Sequence, residues 1–208
     1  MTLDESDRIP DDVRASIRSA ADAVADGEIV VYPTETVYGL GGDALDPAAV
    51  DRVFDIKRRD RENPLSLGVA SVDAAFRLTR PTELATAFMR AFLPGPVTVV
   101  VERTSAVPDV LTAGRDRVGI RIPDHPVALA LLRETGPLTA TSANVSGSES
   151  VTRVADLDDS IRERVATIVD DGEADGTEST VVDPDAGTIH RSGALDGAVE
   201  AWLADPPV

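Results

Sequence analysis

The sequence predicts an α/β fold in a single domain, and three observations carry that expectation. Short runs of Val, Ile and Leu, bounded by Pro, Gly or acidic residues, recur along the chain and read as strands. Between several of them lie segments whose apolar residues repeat at helical spacing. A chain of 208 residues with 42% hydrophobic content is enough for one substantial core, and with only 3% aromatics that core must be mostly aliphatic.

The elements follow in order. Asp11 or Asp12 can cap a first helix that turns Val13, Ile17, Ala20 or Ala21, and Val24 to one side, with Gly27 ending it. Ile29 to Tyr32 reads as a strand stopped by Pro33. Asp46-Pro47 is an N-cap followed by proline at N1, opening a helix with Val50, Val53 and Phe54 inward and Lys57 at its C-terminal end. Leu65 to Ala70 reads as a strand, and Pro81 to Phe92 as a helix with Leu84, Phe88 and Phe92 on one face. Pro94-Gly95-Pro96 breaks it before a buried strand, Val97 to Val101. Further strands are expected at Val118 to Ile122, Leu138 to Thr141, Ala166 to Val169, Thr180 to Asp183 and Thr188 to Arg191, with helices at Val127 to Glu134 and Val154 to Val165. The alternation implies a sheet covered by helices. No repeat or low-complexity linker divides it, so one domain is expected over residues 10–203, with 204–208 a disordered tail.

Composition excludes several kinds of chemistry. No cysteine is present, so disulfides, thiolate metal sites and cysteine nucleophiles are all ruled out. Only His125 and His190 could supply imidazole, and no metal-binding cluster is expected. No stretch approaches a membrane span, and the acidic start Met1-Thr2-Leu3-Asp4-Glu5 does not read as a secretory signal, so a cytoplasmic setting is expected. A net charge of −17 argues against general affinity for nucleic acid. High acidity with almost no lysine reads as adaptation to salt, because at about 1 M the Debye length is only about 3 Å and self-repulsion is screened.

One lysine occurs in the whole chain, Lys57, and it opens the most basic stretch, Lys57-Arg58-Arg59-Asp60-Arg61. An ammonium beside guanidinium forks suits a polyphosphate. A solvated helix end is the plain alternative. Four loops at strand ends add small polar groups: Pro33-Thr34-Glu35-Thr36-Val37-Tyr38-Gly39-Leu40-Gly41-Gly42, the basic run with Asn63-Pro64-Leu65-Ser66, Arg121, and Thr139-Ala140-Thr141-Ser142-Ala143-Asn144. The glycines after Tyr38 would allow close approach of the backbone. Singly, each loop is ordinary turn chemistry. Together they describe a site rich in hydroxyls and arginine that aligns reactants bringing their own nucleophiles. Neither a Walker loop nor a dinucleotide fingerprint is present.

The block Pro33-Thr34-Glu35-Thr36-Val37-Tyr38-Gly39-Leu40-Gly41 resembles the signature of the YrdC family, the threonylcarbamoyl-adenylate synthases. Lys57-x-Arg59 and Ser142-x-Asn144 resemble its Lys-x-Arg and Ser-x-Asn elements. Pro94 to Thr98, Arg121 to Pro126 and Ser179 to Asp183 are similar to further family blocks in the same order, so the resemblance spans roughly residues 10–195.

That resemblance implies a twisted, mixed α/β sheet flanked by helices, with a concave ligand cleft. It implies synthesis of threonylcarbamoyl-AMP and pyrophosphate from L-threonine, bicarbonate and ATP, for modification of adenosine 37 in tRNAs reading ANN codons. Carried over by position, Lys57, Arg59, Ser142 and Asn144 form a catalytic tetrad on the nucleotide phosphates. Thr112 and Arg191 contact the nucleotide, and Thr34, Arg121, Thr141 and Ser179 contact threonine. Mg²⁺ would come with ATP, without a protein cage. A downstream transferase complex would be the partner, of KEOPS type in an archaeon, and a halophilic archaeon is the expected source. The chain departs from the family pattern at Asp60, where proline is common, and at Gly68, where many members have histidine. It resembles the short, single-domain form. The alternatives are a non-catalytic double-stranded-RNA or tRNA-binding module and a carbamoyl-handling hydrogenase-maturation domain.

Overall fold

The computed structural model describes residues 9–207. The start read as lacking a signal, and Val208, lie outside the described residues. The chain begins with α1 (Asp11–Ala25), β1 (Val30–Tyr32), β2 (Gly39–Gly41) and α2 (Pro47–Lys57). It continues through β3 (Ser66–Gly68), α3 (Val72–Phe76), α4 (Glu83–Phe92), β4 (Val97–Glu102), α5 (Asp109–Thr112) and β5 (Arg117–Arg121). Then come α6 (Pro126–Thr135), β6 (Leu138–Ala140), α7 (Asp159–Arg162), β7 (Thr167–Ile168), β8 (Thr180–Asp183), β9 (Thr188–Arg191) and α8 (Asp196–Ala204).

The α/β class is as the sequence predicts, but the strands form two mixed sheets, not one. The larger has the order β6-β3-β5-β4-β8-β9 and the smaller β2-β1-β7. A seam joins them: Leu40 N donates to Thr141 O at 2.8 Å, Thr139 N to Gly42 O at 2.9 Å and Ala143 N to Tyr38 O at 2.8 Å. The glycine-rich stretch expected to be a loop is therefore the strand β2. A Cβ on Gly39 would meet the Tyr32 ring at 2.9 Å, and one on Gly41 would meet the same ring at 2.9 Å. These glycines make room for a buried side chain of the fold.

Local chemistry explains where the elements start and stop. Asp46 caps α2, its Oδ1 accepting from Ala48 N at 3.0 Å, with Pro47 behind it. Asp11 and Asp12 do not cap α1. They lie in its first turn, favourably placed for the helix dipole, after Pro10. The helix expected over Val154 to Val165 is a 3-10 turn (Val154–Asp156) followed by the short α7. Asp158 competes with helix continuation by accepting from Ser160 N at 2.8 Å. Leu157 and Ile161 still reach the core, so the apolar spacing is met by two broken turns.

α3, α5 and α8 were not foreseen. Helix α8 runs through Ala204, into the stretch read as tail, and is anchored by the only tryptophan. The Trp202 ring stands edge-on to Phe88 at 4.9 Å, and Phe88 stacks on Phe92 at 4.5 Å. This cluster joins the last helix to α4. Trp202→Ala should lower stability by about 2–3 kcal/mol, somewhat less than for a fully buried ring, because Trp202 is half-buried. Chemical denaturation would check this, with the midpoint falling and the slope unchanged.

Candidate functional site: a cleft lined by arginines and hydroxyls

The turn after α2 divides the basic run. Arg58 takes the left-handed conformation, with φ 50°, and its N–H bonds back to Asp55 O at 3.3 Å. This sends Lys57 inward, leaves Arg58 exposed and aims Arg59 at a cavity of about 670 Å³. The cavity lies against β4, β5 and β8, between the 34–39 segment and residues 140–142, and reaches Arg191 on β9.

Lys57 is not a solvated helix end: it is only 1% exposed. Its Nζ donates to Ser142 O, to Asn144 O at 2.6 Å and to Asn144 Oδ1 at 3.2 Å. Ser146 N donates back to Lys57 O at 2.9 Å. Ser142 Oγ donates to the same Asn144 Oδ1 at 2.5 Å. The Lys-x-Arg and Ser-x-Asn elements are thus brought together, with different exposures. Arg59 and Ser142 line the cavity, while Lys57 and Asn144 stand behind them. Burial, helped by Arg59, pushes Lys57 down to a pKa of about 7, with Glu178 pulling it back. Three oxygen acceptors around one nitrogen match the three donors of the ammonium that forms as pH falls through that value.

Arg59 is braced by two carbonyls, donating through Nε to Asn63 O at 2.9 Å and through Nη2 to Pro64 O at 3.0 Å. Arg121, at the end of β5, is 6% exposed and forms part of the cavity wall. Its Nη1 donates to Gly95 O and, at 3.3 Å, to Val97 O. Its Nη2 meets Glu35 Oε1 at 2.8 Å and Thr36 Oγ1 at 3.3 Å. Burial lowers its affinity for the proton, and the Glu35 charge restores part of it. Arg191 gives Nη1 to Glu178 Oε2 at 2.8 Å and Nη2 to Ser179 O at 2.8 Å and Ser179 Oγ at 3.0 Å. Its charge acts on both Arg59 and Arg121, so the three guanidiniums share one field.

Thr34, Thr141 and Ser179 also line the cavity. Thr34 Oγ1 organises its own turn, accepting from Thr36 N and Val37 N at 3.2 Å each. Ser179 Oγ lies 3.0 Å from Thr98 Oγ1. Thr112 is placed elsewhere: it is fully buried at the end of α5, its hydroxyl 3.4 Å from Asp109 O, and it does not line the cavity. Gly68 lines the cavity beside Tyr32 and Ala140, with room for a Cβ.

Sequence reasoning missed several lining groups. Glu178 stands immediately before the Ser179 to Asp183 block, and an acid beside Ser179 is the available signal. Arg117 and Asp183 pair at 2.7 Å across β5 and β8, a contact that needs the strand order. Thr36 and Thr98, within the Pro33 to Gly41 and Pro94 to Thr98 blocks, line the same cavity.

The cleft gathers guanidiniums, one caged ammonium and several hydroxyls on the face of a mixed sheet. That defines an α/β domain that binds and aligns anionic ligands. The Sua5/YciO/YrdC family model, described as telomere recombination, matches residues 22–193, and the chain belongs to that family. It is 41% identical over 170 residues to threonylcarbamoyl-AMP synthase of Pyrococcus abyssi, covering 80% of this chain and 50% of that protein. It is 42% identical over 170 residues to the Bacillus subtilis enzyme of the same name, covering 80% and 49%. The chain thus spans about half the length of these curated relatives. The crystal structure of P. abyssi Sua5 complexed with L-threonine superposes with a TM-score of 0.81 at 40% identity, covering 85% of this chain and 54% of that one.

The caged lysine gives stability a pH dependence of definite sign. Its folded pKa, about 7, lies below the ordinary 10.5, so between those values the unfolded chain binds the extra proton. This contribution is fully present above the unfolded value and is lost as pH falls towards 7. Lys57→Met removes the linkage. Relative to that variant, the natural protein should lose stability as pH falls from 10 to 7, at no more than about 1.4 kcal/mol per pH unit. Denaturant titrations at several pH values would read it, and a pH-independent gap would refute it.

Proposed function

We propose that this domain is an L-threonylcarbamoyladenylate synthase, a nucleotidyltransferase joining L-threonine, bicarbonate and ATP. The observation that carries the reading is the convergence of Lys57, Arg59, Ser142 and Asn144 at the edge of a cavity whose other walls hold Arg121, Arg191 and hydroxyls. The names of the relatives, and the threonine-bound state of one structural neighbour, support it.

In this proposal the threonine amine attacks the carbon of bicarbonate, which loses water, or of the CO₂ derived from it, with loss of an amine proton to solvent, forming a carbamate. A carbamate oxygen then attacks the α-phosphorus and pyrophosphate leaves. Both nucleophiles belong to substrates, so the chain's task is alignment and charge stabilisation. Arg59 and Arg191 take the phosphate oxygens, and Ser142 supplies a hydroxyl at the cavity wall. Lys57 acts from behind, fixing the 142–144 turn and adding its charge to the field. Arg121 supplies positive charge for the threonine carboxylate, with Thr34, Thr141 and Ser179 around the amino acid. Thr112 would act on the nucleotide only through its backbone neighbourhood, since its hydroxyl faces Asp109 O.

Mg²⁺ is tested by the donor set. The carboxylates lining the cavity are Glu178 and Asp183, each paired with an arginine, and no metal-holding cluster of His, Cys, Asp or Glu occurs among the described residues. Such a site fits an ion carried by phosphates and water, which Mg²⁺ favours. Bound there, it would neutralise phosphate charge.

The wider setting completes the proposal. Among the described residues no helix is long and apolar enough to cross a membrane, and we place the enzyme in the cytoplasm of a halophilic cell. The adenylate passes to a tRNA threonylcarbamoyl transferase complex, of KEOPS type in an archaeon. Direct RNA binding is the weaker reading, because Arg59, Arg121 and Arg191 turn into one cavity within a chain of net charge −17.

Incubation with labelled threonine, bicarbonate and ATP in high salt should yield pyrophosphate and a threonylcarbamoyl adduct of AMP. Orthophosphate and ADP, or RNA binding without turnover, would overturn the proposal. Lys57→Arg should keep the net charge but lose on the order of 100-fold in pyrophosphate release, because a planar guanidinium cannot fill a three-oxygen cage and the 142–144 turn must shift by about 1 Å. Normal turnover in a stable Lys57→Arg protein would show that the cage is dispensable.

A further inference from the structure

Glu178 is an anion already lodged in the cationic cleft. Its Oε2 pairs with Arg191 Nη1 at 2.8 Å, its Oε1 accepts from Ser150 Oγ, and its charge acts on Lys57. Of the two carboxylates lining the cavity, Asp183 is committed elsewhere, to Arg117 at 2.7 Å and to Ala186 N at 3.1 Å. Glu178 alone of the two faces the Arg191 group.

The backbone beneath it is fixed. Ala194 N donates to Glu178 O at 2.9 Å, and a Cβ on Gly193 would stand only 2.3 Å from that same oxygen. Arg191 is likewise held, its Nε and Nη2 on Ser179 O. The carboxylate itself is held by Arg191 and Ser150, and rotation of the side chain would release both contacts. The side chains of the pair are 46% and 36% exposed, so the contact is a weak, screened ion pair that a multiply charged phosphate can displace.

We propose that the Glu178 carboxylate occupies a phosphate position on Arg191, that a polyphosphate must exchange with it there, and that Glu178 thereby sets how tightly the site holds polyphosphates. The inference rests on the synthase reading only in taking a polyphosphate as the ligand. Once displaced, the carboxylate remains near the bound anion and opposes it, which weakens retention of both nucleotide and pyrophosphate. Release from Glu178 also frees Ser150, whose loop otherwise has this contact to the 178–179 segment.

The test is calorimetric titration of the natural protein and of Glu178→Gln with pyrophosphate and with ATP, at several salt concentrations. The carboxamide keeps the shape and can still accept from Ser150, but it loses the charge. Glu178→Gln should bind pyrophosphate about three- to tenfold more tightly, and the difference should shrink as salt rises. Glu178→Ala, compared after a thermal melt, should tighten binding in the same direction, and it replaces Glu178→Gln if that variant misfolds. Binding by the natural protein with no tightening in either folded variant overturns this proposal and leaves the synthase reading standing. Failure of all three proteins to bind pyrophosphate or ATP overturns both.

Discussion

The three-oxygen cage around the Lys57 ammonium is the contact on which the rest of the site depends. It ties the end of α2 to the 142–144 turn, segments 85 to 87 residues apart in sequence. An ammonium buried to this degree is tolerated only when its donors are satisfied. Ser142 O, Asn144 O and Asn144 Oδ1 do that and are positioned by it in return. From this anchor Ser142 reaches the cavity, and the left-handed turn at Arg58 brings Arg59 to it from the other side. An arginine has the charge without the compact head, which accounts for a lysine here in a chain that otherwise carries nineteen arginines.

The charge distribution has two separate levels. Acidic residues dominate the chain as a whole, whereas the cleft gathers Arg59, Arg121 and Arg191, and there burial, joined by the Arg191 charge, lowers the hold of Arg59 and Arg121 on the proton. Their repulsion is offset by neighbouring oxygens. Carbonyls of residues 63 and 64 brace Arg59, Glu35 and the 95 and 97 carbonyls brace Arg121, and Ser179 with Glu178 braces Arg191. Glu35 reaches Arg121 while also accepting from Asp124 N at 3.0 Å, so the threonine-rich turn and the start of the α6 segment are held by one carboxylate. A cleft built this way is preorganised for anions before any ligand arrives.

Much of this was legible from residues alone, for reasons that are local. Asp46-Pro47, the Val13-Ile17-Val24 stripe and the Val97 to Val101 run each encode their element within a few neighbours. Six ordered blocks placed Lys57, Arg59, Ser142 and Asn144 in one site, and the contacts bring them together. What escaped depends on distant partners. That Gly39 and Gly41 form a strand against Tyr32 is decided by a ring seven residues or more upstream and a seam to residues 139–143. The Val154 to Val165 stripe has helical spacing, and only the hydrogen bonds of Asp158 break it. Thr112 is assigned to the nucleotide by resemblance alone, outside the quoted motifs, and α5 turns its hydroxyl back into the backbone. The pairing of Asp183 with Arg117, like that of Glu178 with Arg191, appears only once β8 lies beside β4 and β9 beside β8.

The strand order also bears on how the molecule is made. β4 pairs in parallel with β8, joining residues 97–99 to residues 180–182, and β9 completes that edge last. A chain emerging from the ribosome therefore has the Lys57 cage in hand once residue 144 is out, but lacks the far wall of the cleft until Arg191 follows. Until β8 arrives the outer edge of β4 presents unpaired backbone groups, the kind of exposed edge that recruits foreign strands. Covering of that edge by β8 and completion of the cleft by β9 are successive steps of one hairpin, so a nascent chain able to hold its ligand has already buried the edge of β4.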